Sequence, residues 1–416
     1  MPADIFFLGT DSEPCGLEQQ FQNAIFPNTL LITLLLVCSV AANPIVEVRS
    51  SHVTLPLSRR VNVTSVHNLV QHDLKRAKAL KARGKALAGD RLTAEEAASV
   101  NQPVDNQAVT YIASVGVGSP ATNYQLIIDT GSSNTWSVTY GSGSFSGTEY
   151  TDTVTLGSLT IPGQSIGVAS TASGFDGVDG ILGIGPVGLT QGTLSPATSS
   201  FVPTVIDNLY SEGLIDANEI GISFEPTDTE EVINGELSWG GTDSSKYTRS
   251  IKFTPRTSTS PASYYWGIDQ AVRYGSTTIL SKTAGIVDTG TTLILLASDA
   301  ISAYRKATGA VQDNATGLLR ITSAQYANLQ NLYFTTNGVT YELTPNAQIW
   351  PRALNTAIGG SANSIYLIVG DLGSSSGEGL DFINGYGFLE RFYSVFNSAD
   401  GGVGFATTPY TDATTN

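Results

Sequence analysis

Two short stretches of this chain set an acid in the same local frame. "QLIIDTGSS" at 125–133 and "AGIVDTGTT" at 284–292 each run two apolar residues into Asp-Thr-Gly and then into two hydroxyl residues. A single Asp-Thr-Gly is ordinary turn chemistry, because Asp, Thr and Gly are all turn residues. Two copies in matching frames need another reason. Each is followed by a further apolar run containing glycine, "FDGVDGILGIGP" at 175–186 and "LDFINGYGFLERFYSVF" at 380–396. The repetition predicts two related lobes, each ending a strand at an acid, Asp129 in one and Asp288 in the other. Gly131 and Gly290 let backbone come close, and Ser132 and Thr291 supply local hydrogen bonds.

If the lobes face each other across a pseudo-twofold, the two carboxyls meet. Like charges at contact distance cannot both ionise, so one proton is shared, one carboxyl's pKa rises and the other's falls. Such a pair can act as base and acid together, deprotonating a water for attack on an amide carbonyl and protonating the leaving nitrogen. That chemistry needs no cofactor and no metal.

The elements that must position these acids are strands. Charged residues make up 14% of the chain while glycine numbers 43, and from about Gln107 short β-type runs alternate with Gly, Ser, Asn and Pro. The fold class expected is all-β. Helical patterns are few, the best being "PTVIDNLYSEGLI" and "ASDAISAYRKATG" in the body and "VHNLVQHDLKRAKALKARGKAL" before it. The last places Val66, Val70, Leu74, Ala77 and Leu80 or Lys81 near one face, with Lys75, Arg76, Lys78 and Arg83 around it.

Charge divides the chain. Residues 43–97 carry 10 Lys and Arg against 5 Asp and Glu, whereas residues 98–416 carry 11 against 27. The net charge of −15 argues against nucleic-acid binding, which needs a surplus of cations. All three histidines, His52, His67 and His72, lie in the basic segment, which excludes a Ser-His-Asp mechanism or a histidine-ligated zinc from the body. The apolar run Leu30–Ala42 is short for a membrane span and ends in small residues, as a secretory signal cleaved after Ala42 would. The acidic flank before it, with no Lys or Arg, is atypical of such signals. Both cysteines, Cys15 and Cys38, precede that point.

The two turns, the "TYGSGSFSG" hairpin and the apolar-apolar-Gly frames together resemble the pepsin-type aspartic proteases, with closest similarity to secreted fungal enzymes of the polyporopepsin group. The resemblance runs from about Asn43 to the C-terminus. It implies a bilobal fold of two pseudo-twofold-related β-barrel lobes with an active-site cleft between them. It also implies an organisation into a signal region 1–42, a basic propeptide 43–97, an N-terminal lobe 98–225 and a C-terminal lobe 226–416. Asp129 and Asp288 would be the catalytic pair, with Ser132 and Thr291 bonded to their outer oxygens. Tyr140, Gly141 and Ser142 would form the tip of a flap over the substrate, braced by Trp136. The basic segment would be an intramolecular inhibitor covering the cleft near neutral pH. Polypeptides would be the substrates, cut at acid pH by a secreted, monomeric enzyme with no membrane association after signal removal.

The chain departs from the family in one place. Only Ser137, Val138 and Thr139 separate Trp136 from Tyr140, where the family has some tens of residues, so the N-terminal lobe is expected to be truncated there. That motivates an alternative reading, a catalytically inactive homologue that only binds peptides or proteins. A glycosidase, which also uses two carboxylates, predicts unrelated contexts around its acids, and the repeated turn speaks against it. Asn62 in "NVTS" and Asn314 in "NATG" fit the N-glycosylation pattern.

Overall fold

A computed structural model describes residues 52–61, 69–93, 96, 109–133, 137–140, 143–173, 177–193, 200–399 and 402–416. Strands dominate, as expected. Among the described residues, 12 strands share one sheet, seven form a second and three a third. Of the expected helices, "PTVIDNLYSEGLI" forms Val205–Ser211, opened by a capping box in which the Thr204 and Asp207 side chains each bond the other's backbone. "ASDAISAYRKATG" forms Ser298–Thr308, closed by Gly309 at φ 70°. The basic segment forms the 19-residue helix Leu69–Leu87.

The largest sheet runs from Lys252–Pro255 through Gly402–Thr407, Phe392–Asn397, Glu219–Ser223, Glu231–Trp239, Val53–Val61, Val109–Val117 and Thr122–Asp129 to Gly180–Gly183. The strand Thr122–Asp129 goes from exposed at its start to fully buried at its end, so the chain is driven from solvent into the core and delivers its acid there. Beside it, in parallel, lies Gly180–Gly183, with Asp129 opposite Gly183. The second sheet repeats the device. Thr277–Val287 runs inward, and Phe382–Asn384 pairs with it in parallel, Val287 opposite Asn384. The apolar runs that echo each other in the sequence are therefore the parallel neighbours of the two acid-bearing strands.

The basic segment is woven into this body. Its strand Val53–Val61 is antiparallel to Val109–Val117 on one side and to Glu231–Trp239 on the other. It alternates as a strand with one buried face should, with Leu55, Leu57, Arg59 and Val61 inward. Without it, both neighbours would present unpaired edges.

Arg59 is 2% exposed, and its charge is met inside. Its Nε donates to Glu390 Oε1 at 2.9 Å and its Nη1 to the Thr229 carbonyl at 3.2 Å, while the Tyr111 hydroxyl donates to the same Glu390 oxygen at 3.1 Å. Deleting one partner of a buried pair strands the other charge, which costs about 3–5 kcal/mol. Glu390→Ala should therefore lower the stability of the full-length chain by about that much in urea unfolding, with Arg59→Met added to it restoring most of the loss. A loss under about 1 kcal/mol, the scale of an exposed pair, would contradict this account.

Candidate active site

Asp129 and Asp288 are both 0% exposed, each at the inner end of its strand. The tripeptides that carry them are tied to one another by a symmetric set of hydrogen bonds. The Thr130 amide donates to Thr289 Oγ1 at 3.0 Å and the Thr289 amide to Thr130 Oγ1 at 2.9 Å. Thr130 Oγ1 donates to the Val287 carbonyl and Thr289 Oγ1 to the Ile128 carbonyl. Each threonine thus commits its hydroxyl to the opposite turn. The repeat of threonine in both copies was the signal for this grip, and reading the tripeptides simply as turns misses it.

Within each turn the glycine amide donates to its own aspartate, Gly131 to Asp129 Oδ1 at 2.9 Å and Gly290 to Asp288 Oδ1 at 3.1 Å. Thr291 Oγ1 donates to Asp288 Oδ2 at 2.5 Å, as expected. The expected counterpart at Ser132 does not reach hydrogen-bond geometry: Ser132 Oγ and Asp129 Oδ2 are both buried without a partner. The hydroxyl is still near enough to favour the ionised form of Asp129 slightly. Asp129 is engaged only through Oδ1, whereas both oxygens of Asp288 are bonded.

The occupant is Arg76, from the basic helix. Its Nη2 donates to Asp129 Oδ1 at 2.5 Å and to Asp288 Oδ1 at 2.8 Å, and its Nε to Asp288 Oδ2 at 2.7 Å. One nitrogen bonded to both carboxyls shows that the acids do meet. It also corrects the expectation that Arg76 flanks the apolar face of its helix, since the residue is 1% exposed. Two buried carboxyls need a cation more than the guanidinium needs water. Glycine is required opposite it, because a Cβ on Gly131 or Gly290 would run into the guanidinium.

Burial pushes Asp129 up, and Arg76 only partly offsets this while Asp288 adds to it. At Asp288 burial also pushes upward, but Arg76, bound through two nitrogens, with Thr291 and Gly290 outweighs it and holds the carboxyl below its usual range. The two members of the pair are thus driven apart.

Further contacts seat the helix. Asp73, one turn before Arg76, accepts from the Leu293 amide at 2.7 Å and the Thr292 amide at 3.3 Å, just past the second Asp-Thr-Gly. Burial pushes its carboxyl up to about 7, against the pull of those two amides and Arg76. The Tyr265 hydroxyl donates to the Leu80 carbonyl at 2.7 Å and Arg83 Nη2 to the Leu189 carbonyl at 2.5 Å. The helix passes so close to Pro261 and Tyr265 at Gly84 that a Cβ there would overlap them. Sequence reading picks out the cations of this helix and misses the role of Asp73, whose only signal is an acid inside a basic amphipathic run.

The hairpin expected to be a flap is formed by Ser137–Tyr140 and Gly143–Leu156, with Tyr140 opposite Gly143, and its first strand lies against the basic helix. Trp136, Gly141 and Ser142 lie outside the described residues, as do Asn62 and the Leu30–Ala42 run. Asn314 is exposed in the loop between the strands Val311–Gln312 and Leu319–Ile321.

Comparison with known proteins agrees with this geometry. A family model described as eukaryotic aspartyl protease matches residues 110–139 and 134–408, two pieces that meet where Trp136 is followed so soon by Tyr140. Polyporopepsin from Irpex lacteus is 68% identical over 335 residues, covering 76% of this chain and 98% of that protein. Gastricsin from Cavia porcellus is 30% identical over 346 residues, covering 74% and 82%. The crystal structure of aspartic proteinase from Irpex lacteus superposes with a TM-score of 0.72 over 74% of this chain and 96% of that one, at 68% identity. With this match and the mostly-β, pepsin-like architecture, the chain belongs to the eukaryotic aspartyl proteases and is an aspartic-type endopeptidase.

Proposed function

We propose that the chain is the precursor of a secreted acid endopeptidase, with Asp129 and Asp288 as its catalytic pair and residues 43–97 as a propeptide that inhibits it. The observation that carries this reading is the Arg76 guanidinium bonded to both aspartates. It occupies the position between the carboxyls where an attacking water has to be held. Once the helix leaves, two buried carboxyls without a cation share one proton, the general pattern of aspartic proteases. The ionised member takes a proton from the bound water as its oxygen forms a bond to the peptide carbonyl carbon. The protonated member gives its proton to the carbonyl oxygen. When the C–N bond breaks, the carboxyl that took the water proton gives it to the nitrogen while the other takes a proton back from a hydroxyl of the tetrahedral intermediate, so the pair again holds one proton.

The division into an N-terminal lobe 98–225 and a C-terminal lobe 226–416 is supported by the placement of each Asp-Thr-Gly beside its own parallel neighbour strand. The truncation between Trp136 and Tyr140 is supported by the family model's two-piece match. Tyr140 is assigned to the flap, with Gly141 and Ser142 at its tip and Trp136 as its brace. Glycosylation of Asn314, and of Asn62, fits an extracellular route. The chain is read as a monomer acting on polypeptides. An inactive, merely binding homologue is the less favoured reading, since both acids are buried and each accepts from the glycine amide of its own turn.

Acid should release the propeptide helix, and the groups that control this pull in opposite directions. Asp288 is held low, so its contribution to docking is present above the ordinary carboxyl range and lost as pH falls. Asp73 is raised, so its contribution is complete below about 3.8 and lost as pH rises through about 7. Hence Asp73→Asn, which keeps the group neutral, should raise the precursor's Tm relative to the parent more at pH 8 than at pH 4. A difference that does not change with pH would show that Asp73 is ionised throughout.

The catalytic assignment is tested on the acid-treated precursor with denatured haemoglobin as substrate. Hydrolysis should be blocked by pepstatin and fall at least about a thousandfold in Asp288→Asn, because removing one member of a unit that works together abolishes most of its effect. Retention of more than a tenth of the activity would overturn the assignment. For inhibition, Arg76→Ala should expose hydrolysis at pH values where the parent precursor is silent, whereas equal silence in both would remove Arg76 from that role.

A further inference from the structure

Lys81 lies five residues beyond Arg76 on the same helix, and its ammonium is held by the body. It donates to Glu378 Oε2 at 2.5 Å and to Ser374 Oγ at 2.9 Å. Glu378 and Ser374 belong to the loop that follows the strand Val369–Asp371. They also line, with Lys81, Ala77 and Leu372, a cavity of about 260 Å³ beside the helix.

The bonds that shape this loop come from carboxylates of the body. Asp381, 0% exposed, accepts from the Gly377 amide at 2.7 Å and the Glu378 amide at 3.0 Å, and also from the Thr283 hydroxyl. Asp299 accepts from the amide and hydroxyl of Ser376, at 3.0 and 2.6 Å. Asp371 accepts from the Gly373 amide at 2.8 Å, and the Ser298 amide donates to the Ser374 carbonyl at 2.9 Å. Glu378 and Ser374 are therefore held in place by groups that stay when the helix goes.

We infer that Glu378 and Ser374 form a subsite for a cationic side chain of the substrate, which Lys81 fills in the precursor, so that the processed enzyme favours Lys or Arg at one position near the scissile bond. The inference rests on the reading of Asp129 and Asp288 as the catalytic pair. Five helical residues rise about 7.5 Å, which an extended peptide covers in about two residues at roughly 3.3 Å each. The favoured position is thus about two residues from the bond that is cut. Glu378 is 45% exposed and Lys81 12%, so the pair is of the partly solvated kind, and the discrimination expected is about threefold to fivefold.

The test uses acid-processed protein and a peptide series in which one residue at a time, at three positions on either side of the scissile bond, is Lys or norleucine. At pH 5.5 the ratio of kcat/KM for Lys over norleucine should reach about 3–5 at one position and fall to about 1 in Glu378→Gln, with Ser374→Ala giving a smaller fall. A ratio near 1 at every position, or one that persists in both variants, overturns the inference. If no peptide is cleaved, the catalytic reading fails separately. Binding of the same labelled peptides by fluorescence polarisation then decides the subsite, through the ratio of Kd values in parent and Glu378→Gln.

Discussion

Two carboxyls sealed from water against each other are tolerable only if they share a proton or are given a cation, and the architecture around Asp129 and Asp288 follows from that constraint. Burial alone pushes both toward neutrality. Arg76 relieves it with three charge-assisted bonds from two nitrogens, while desolvating a guanidinium whose Nη1 is left without a partner. The interaction is strong because no water competes for it. For the same reason it depends on everything that keeps the helix seated.

What brings the two acids together is the pairing of their strands and the threonines that join their turns. Each acid-bearing strand runs inward beside a short parallel strand, and the threonines of the two turns exchange hydroxyl bonds across the pseudo-twofold. Buried hydroxyls and amides satisfied in this closed set cannot be moved singly without leaving a polar group unpaired. None of these bonds involves the basic helix.

The basic segment is attached at two places of different character. Its strand adds main-chain pairing and apolar burial through Leu55 and Leu57, with Arg59 neutralised by Glu390. Its helix is held mostly through charge-bearing side chains: Arg76 and Lys81 pair with carboxylates of the body, and Asp73 accepts from two of its amides. Main-chain pairing does not titrate, whereas ion pairs do. Asp73 works against the others, since docking favours its neutral form, so the response of the helix to acid is the difference between opposed titrations.

Much of this was legible in the residues. The repeated Asp-Thr-Gly frames, the apolar runs after them and the glycine-rich composition led to an all-β chain with paired acids, because local turn chemistry and strand patterning are written in adjacent residues. The charge division set a basic segment apart from an acidic body, and only the family resemblance gave that segment a place over the site. Which of its cations would enter the site was not written locally. Arg76 looked like its neighbours Lys75 and Lys78, and Asp73 like a stray acid, since helical spacing ranks faces only by hydrophobicity. Only the tertiary structure decided that the face carrying Asp73 and Arg76 turns inward, because there two buried carboxyls meet the guanidinium and two backbone amides donate to the Asp73 carboxyl. Composition and spacing thus determined which chemistry was present. The packing of distant segments decided which groups face one another, because burial, and with it the strength of every charge interaction, belongs to the fold as a whole.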